Sequence, residues 1–420
     1  MKSSDFVTLV LAGGQEKRLG LLTKEIPKPA VSFGGVYRLI DFTLSNCKHS
    51  DVGVIGVITQ YRKHELADYI GLGQEWHSSR KDAEIVTLPP KFRNGVEEFY
   101  LGTADAIWKN IEFIEQYDPE TILVLSGDHI YKMDYSKMLE THYYSRASVT
   151  IAALNVPCNK APRFGIINAD NNGIIEFFEE KPLKPKSNLA SMGVYVFKWA
   201  TLKNHLYISS IDPASSMDIG KDIIPQMLMC GEKLAVYRFD DYWKDIGDIY
   251  SLWEANMELL FTPPSIELHD DTWKIISRNN ETLLRHKNYA SSDGRIENSL
   301  VTNKLINKGS ITNSIISADV EIEKGANIID SVVMAGVKIG RGATVVKTII
   351  GTNSIVGDYT GICNVKPNDV YLDNCQGVTV IGNNINIFTH SNGSLNFTVL
   401  SPPELCVGKN IQSGHRCEYQ

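Results

Sequence analysis

Residues 7–30 read "VTLVLAGGQEKRLGLLTKEIPKPA". An apolar run from Val7 to Leu11 ends in Gly13-Gly14, and Arg18, Lys24 and Lys28 follow, the last set between two prolines. Strand, glycine pair and clustered cations is the order of a phosphate-binding loop. Without Cβ atoms the backbone N–H groups can approach phosphate oxygens, prolines stiffen the backbone that presents Lys28, and polyphosphate needs fixed positive charge. The same residues also read as a turn leading into a solvated basic loop, and by themselves they do not choose. The apolar stretch is short, follows Asp5 and ends in Gly-Gly-Gln-Glu-Lys-Arg, which suits a buried first strand and not a secretory leader.

Working outward, short β-branched runs at 54–58, 122–125 and 149–154 alternate with helical patterns as far as about residue 260. That alternation predicts a mostly parallel sheet covered by helices. Ala104, Ile107, Trp108, Ile111 and Ile114 sit at helix spacing, with Gly102-Thr103 as a start. Ligands of such sheets bind beyond the carboxyl ends of the strands. Two stretches fall there: the loop after Leu11, and "SGDHIYKMD" after Leu125.

A different rule governs the C-terminal part. Leu305, Ile322, Ile339 and Val356 are each 17 residues apart, as are Ile311, Ile328, Val345 and Ile362, and Ile316, Val333 and Ile350. Steps of six and five within each period mean three flat faces per coil and a stacked aliphatic interior, that is, a parallel β-helix. A period one short of 18 predicts one tight corner per coil. Flat flanks and open ends predict oligomerisation or docking. Acyltransfer on the coils is disfavoured, because no histidine occurs from 287 to 389 to act as a general base. After residue 366 the period decays.

Composition limits the partners. The net charge of -7 offers no global attraction for nucleic acid or an anionic membrane, and no run of 18 apolar residues exists. Seven scattered cysteines without a CxxC pair suit a reducing cytoplasm. Asp128 in "SGDHIY" and Asp245 in "YWKDIG" each follow an apolar segment. Carboxylates from separate strands can converge on one Mg²⁺, although each aspartate alone also reads as a turn or cap residue. Lys181 in "FFEEKP" either pairs with Glu180 or clamps a sugar phosphate.

The stretches "KPAVSFGGVYRLIDFTLSNC", "GTADAIW", "SGDHIYKMDY", "EEKP", "ASMGVYVF", "GKDII" and "YWKDIGDIYSLWEANMEL" occur in one order. In that order the chain resembles the bacterial glucose-1-phosphate adenylyltransferases, from residue 7 to about 260, and the hexapeptide repeats match as well. The resemblance implies an α/β fold: a Rossmann-like nucleotidyltransferase domain with a mostly parallel mixed sheet (1–260), a connector (261–295), and a left-handed parallel β-helix (296–420) for regulation and oligomerisation. It implies adenylyl transfer from ATP to glucose 1-phosphate, with Mg²⁺ on Asp128 and Asp245. Arg18 and Lys28 match the cations near the triphosphate, which with Asp128 form the catalytic set. Leu11, Ala12, Gly13, Gly14, Tyr100 and Gly102 match nucleotide-contacting positions. Gly165, Glu180, Lys181, Ser191, Tyr195, Asp218 and Trp243 match the sugar phosphate side. A cytoplasmic homotetramer, or a heterotetramer with a paralogous subunit, is implied, with a sugar phosphate or nucleotide as effector.

Departures from the family pattern carry their own expectations. The family reads "LAGGxGxRL", and Glu16 replaces its third glycine. If that position requires positive φ, a glutamate there costs about 1 kcal/mol or more, and its charge opposes a triphosphate. This supports an alternative, a non-catalytic regulatory subunit. Ile219 stands for a phenylalanine near the sugar, while Glu25 and Leu101 replace basic residues that some members carry. Weak or altered activation follows, and stimulation by micromolar fructose 1,6-bisphosphate contradicts it.

Overall fold

Phe6–Leu11 forms a strand whose side chains are buried except at its last residue, as an uninterrupted apolar run between two covered faces must be. The computed structural model describes residues 6–14, 17–93, 96–279, 281–290, 293–362, 377–388 and 411–412. By contacts the chain divides into two units, residues 1–14 with 42–243, and residues 15–41 with 244–420.

In the first unit, Phe6–Leu11 lies between Val54–Ile58 and Thr121–Ser126, parallel to both, with Leu9 opposite Gly56 and Val124. Glu84–Leu88 extends the parallel set. On the other side, Leu189–Lys198 runs antiparallel to Thr121–Ser126, Val149–Asn155 and Gly165–Ala169. Among the described residues nine strands form the sheet. The mixed character comes from Leu189–Lys198 and from Ile175–Glu180, which is antiparallel to Gly165–Ala169. The expected strands are present, three of them longer than read by one or two residues. The helix expected across 104–114 is instead two, Thr103–Trp108 and Ile111–Glu115. Asn110 breaks it: its side-chain amide takes the Ala106 carbonyl (2.8 Å), the acceptor a helical backbone N–H would have used.

In the second unit, Ser32–Phe33 and Tyr37–Arg38 form a hairpin. Gly34 and Gly35 turn it at φ of 61° and 89°. A Cβ on Gly34 would lie 3.2 Å from Leu268 and 3.3 Å from Leu259, and one on Gly35 would lie 3.2 Å from Leu283. The Gly34 N–H donates to the buried Asn256 Oδ1 at 2.9 Å. The hairpin is thus seated on the C-terminal part of the chain.

The repeats form a parallel coil with three faces. Ile311, Ile328, Val345 and Ile362 stack in register, as do Ile316, Val333 and Ile350, and Ile322, Ile339 and Val356. Leu305 does not join that third row. The first coil is shorter, so Asn307 pairs with Ile322, and Leu305 packs partly buried against the edge of the core. Left-handed backbone occurs at all three corners: Asn313, Asp330 and Lys347; Asp319, Gly336 and Asn353; Gly325, Gly342 and Tyr359. After the first set come Ser314, Ser331 and Thr348, where each serine hydroxyl accepts the backbone N–H of the next coil at 3.1 Å. The stack resumes beyond residue 376, with Ile350 paired to Ile381 and Val356 to Ile387. The rest of the tail, from 389 on, lies outside the described residues save for Ile411–Gln412, paired to Asn386–Phe388.

Gly342 sits at φ 63°, and a Cβ there would lie 2.7 Å from the Tyr359 ring. Gly342→Ala should destabilise the protein by about 1–3 kcal/mol through strain and overpacking, read as a lower unfolding midpoint. An unchanged midpoint contradicts this account of the corner.

Candidate functional site

The carboxyl ends of the parallel strands bring the loop residues together in the first unit. Beyond Leu11, the Ala12 N–H donates to the Ile58 carbonyl (2.9 Å), and the Gly13 carbonyl accepts from the Tyr61 N–H (3.2 Å). Gly13 has to be small, since a Cβ would lie 3.0 Å from Gln60 Cβ, while among the described residues nothing lies within 4 Å of a Cβ on Gly14. Gly14 is therefore glycine without a packing reason, as backbone approached by a ligand would be. Gln60 also accepts the Tyr100 N–H, which ties this loop to the "YLGTAD" segment. The Tyr100 ring packs inward and burial raises its phenol. At Gly102 the glycine answers to the protein: a Cβ would lie 2.3 Å from the Met217 carbonyl, which accepts the N–H groups of Ala104 and Asp105 at 2.8 and 3.1 Å.

The residues expected on the sugar side form one group. Glu180 ends the strand Ile175–Glu180, and its Oε2 would lie 2.8 Å from a Cβ on Gly165 and 2.6 Å from one on Gly220. Its Oε1 takes Lys181 Nζ at 3.0 Å, and Lys181, at φ 48°, remains mostly exposed. Asp218 caps the turn Ile219–Ile223 by accepting the Gly220 and Lys221 N–H groups, each at 3.0 Å. Tyr195 lies near both carboxylates with its hydroxyl 3.4 Å from Ser191 Oγ. Burial, and after it the charges of Glu180 and Asp218, holds its phenol far above the ordinary value, so it stays a neutral hydroxyl. Ile219 is buried in the core of the sheet.

Trp243 packs edge-on to His129 (5.1 Å) and Phe164 (5.4 Å), and its buried Nε1 has no acceptor among the described residues. His129 carries the contact on to Asp128, whose Oδ1 lies 3.6 Å from His129 Nε2 and accepts the Ser126 hydroxyl.

Arg18, Lys28 and Asp245 belong to the second unit. Lys28 opens the turn Lys28–Ala30 between Pro27 and Pro29, and its Nζ is 3.1 Å from Asp245 Oδ1, with side-chain exposures of 7% and 18%. Next to Asp245, Lys244 is held by Glu254 (2.6 Å) and Glu258 (2.7 Å) of the helix Ile249–Glu258. Arg18 lies on the surface of the turn Lys17–Thr23, which kinks at Gly20. Glu16 lies outside the described residues, and Glu25 and Leu101 are exposed.

Sequence reasoning had passed over Gln60, Thr103, His129 and Gly220 as site residues. All four sit beside residues that it did single out; Gln60 and His129 follow strand ends, which is the available signal for them, while Thr103 opens a helix. Carboxylates with a hydroxyl or ammonium partner are the hard oxygen donors that Mg²⁺ selects. Among the described residues no group of three or more His, Cys, Asp or Glu gathers at metal-holding range. Among the described residues, no helix is long and apolar enough to cross a membrane.

Residues 7–261 match the nucleotidyl transferase family model, and residues 284–381 match the GlmU-like C-terminal hexapeptide model. The chain is 50% identical over 326 residues to a glucose-1-phosphate adenylyltransferase of Clostridium perfringens (strain SM101), covering 78% of this chain and 83% of that protein. It is 46% identical over 391 residues to the protein of the same name in Desulforamulus reducens, covering 93% and 97%. A Bacillus cereus (strain Q1) protein of that name is 46% identical over 355 residues, covering 84% and 93%.

Proposed function

The chain belongs to the glucose-1-phosphate adenylyltransferase family, and on that premise we propose that it transfers the adenylyl group of ATP to α-D-glucose 1-phosphate. The products are pyrophosphate and ADP-glucose, the latter serving glycogen or α-glucan synthesis. The observation that carries the reading is the grouping of Glu180, Lys181, Ser191, Tyr195 and Asp218. Carboxylates and a neutral phenol suit sugar hydroxyls, and an exposed ammonium beside them suits a phosphate.

In this reading a phosphate oxygen of the sugar attacks the α-phosphorus of ATP in line. The bond to the bridging oxygen breaks, and pyrophosphate leaves without a covalent enzyme intermediate. The protein's work is orientation and charge neutralisation. Gly13, Gly14, Tyr100 and Gly102 line the nucleotide, Arg18 and Lys28 face its phosphates, and Lys181 takes the sugar phosphate. Asp128 and Asp245 would hold Mg²⁺, which when bound neutralises phosphate charge as pyrophosphate departs. Residues 1–260 form the catalytic segment, 261–295 the connector, and 296–420 the assembly and regulatory segment of a cytoplasmic tetramer that answers to a sugar phosphate or nucleotide. A solely regulatory subunit is favoured by none of these observations.

The test is the purified chain alone with ATP, glucose 1-phosphate and Mg²⁺. Stoichiometric pyrophosphate and ADP-glucose are expected, with loss of both on chelation by EDTA. No pyrophosphate release from correctly folded protein overturns the reading.

A further inference from the structure

We propose that Thr103 is a positioning residue for the sugar side of the site, fixing the carboxylate of Asp218 from the neighbouring "GTAD" turn. The inference rests on the proposed reaction and names a residue to which no role there has been given. Thr103 lies 115 positions from Asp218, yet its Oγ1 donates to Asp218 Oδ2 at 3.1 Å. The same oxygen accepts the Ile219 N–H at 2.9 Å, so the hydroxyl is held from both sides and has one orientation.

The consequence lies in what remains of the carboxylate. An ionised carboxylate has about four acceptor positions. Gly220 and Lys221 fill two on Oδ1, and Thr103 fills one on Oδ2. One direction is left for a ligand hydroxyl, and the three protein donors set it. Lacking the threonine, the carboxylate could turn about its own axis, because its other two donors both reach the same oxygen. Gly220 carries the arrangement on to Glu180, whose Oε2 would lie 2.6 Å from a Cβ placed there. The turn that bears Thr103 is fixed in its own right: the Met217 carbonyl takes the Ala104 and Asp105 N–H groups, and Asp105 takes the Leu101 N–H at 2.8 Å. A rigid turn therefore presents one hydroxyl to one carboxylate.

The experiment is binding of glucose 1-phosphate to the full chain by calorimetry, together with steady-state kinetics, for the wild type, Thr103→Val and Thr103→Ser. Thr103→Val is expected to weaken glucose 1-phosphate binding by about tenfold, as for a lost hydrogen bond to a charged group, and to raise KM for the sugar phosphate in step. KM for ATP should change less than twofold, and Thr103→Ser should restore sugar binding to within about threefold. A purely structural threonine would disturb both substrates alike. Equal losses for ATP and sugar, or unchanged sugar binding in Thr103→Val, overturn the proposal. Should the valine variant not fold, Thr103→Cys makes the same comparison with a weaker donor. Binding separates the two claims: a wild type that binds glucose 1-phosphate but forms no ADP-glucose removes the proposed reaction, while the Thr103 comparison still decides on binding alone.

Discussion

Asp128→Asn should lower kcat by about a thousandfold, the size of losing a preorganised charge at a reacting phosphate, while the protein unfolds at nearly the wild-type temperature. The two outcomes separate because of how the side chain is held. Asp128 Oδ1 accepts the Ser126 hydroxyl and lies near His129, and an asparagine oxygen can accept in the same place. The fold keeps its contact and loses only the negative charge. Charge is what an Mg²⁺ ligand must supply, so the defect should appear in turnover and in the Mg²⁺ concentration needed for half-maximal rate. Less than a tenfold loss of kcat would remove Asp128 from the metal-holding role.

Lys28→Met should cost stability as well as nucleotide affinity. The ammonium and the Asp245 carboxylate are 3.1 Å apart with side-chain exposures of 7% and 18%, so removing the lysine takes a cation away from a largely buried carboxylate. A fully buried pair broken in this way loses about 3–5 kcal/mol, and the residual exposure of Asp245 reduces that to about 2–3 kcal/mol. The double variant Lys28→Met with Asp245→Asn removes both charges and should regain most of the loss in urea unfolding. If the double variant is no more stable than Lys28→Met, the pair does not carry the cost. KM for ATP should rise in both variants, since the cation assigned to its phosphates is gone.

These two predictions draw on different amounts of sequence information. Asp128 follows a recognisable buried strand, Thr121–Ser126, and could be placed at its carboxyl end by apolar patterning alone. Lys28 was legible as one cation among three. That its partner is Asp245, 217 positions away, was not, because no local pattern encodes a contact between distant segments. The same holds for Thr103, which reads locally as the start of a helix and becomes a contact of Asp218 only when the turn Ile219–Ile223 that Asp218 caps is brought against it.

By itself the sequence determined four strands of the first unit, Phe6–Leu11, Val54–Ile58, Thr121–Ser126 and Val149–Asn155, and the 17-residue stacking of the second. Both follow from apolar side chains that must be covered at a fixed period, and period is a local property. Tertiary structure alone decided that Leu305 leaves the aliphatic row, and that the row resumes at Ile381 after a longer interval. It also decided that residues 15–41 belong with 244–420 and not with the strand they follow. The physical reason is the hairpin at Gly34 and Gly35. Its closeness to Leu259, Leu268 and Leu283 leaves no room for a side chain, so packing across two hundred residues, and not the neighbouring sequence, fixes where Lys28 stands.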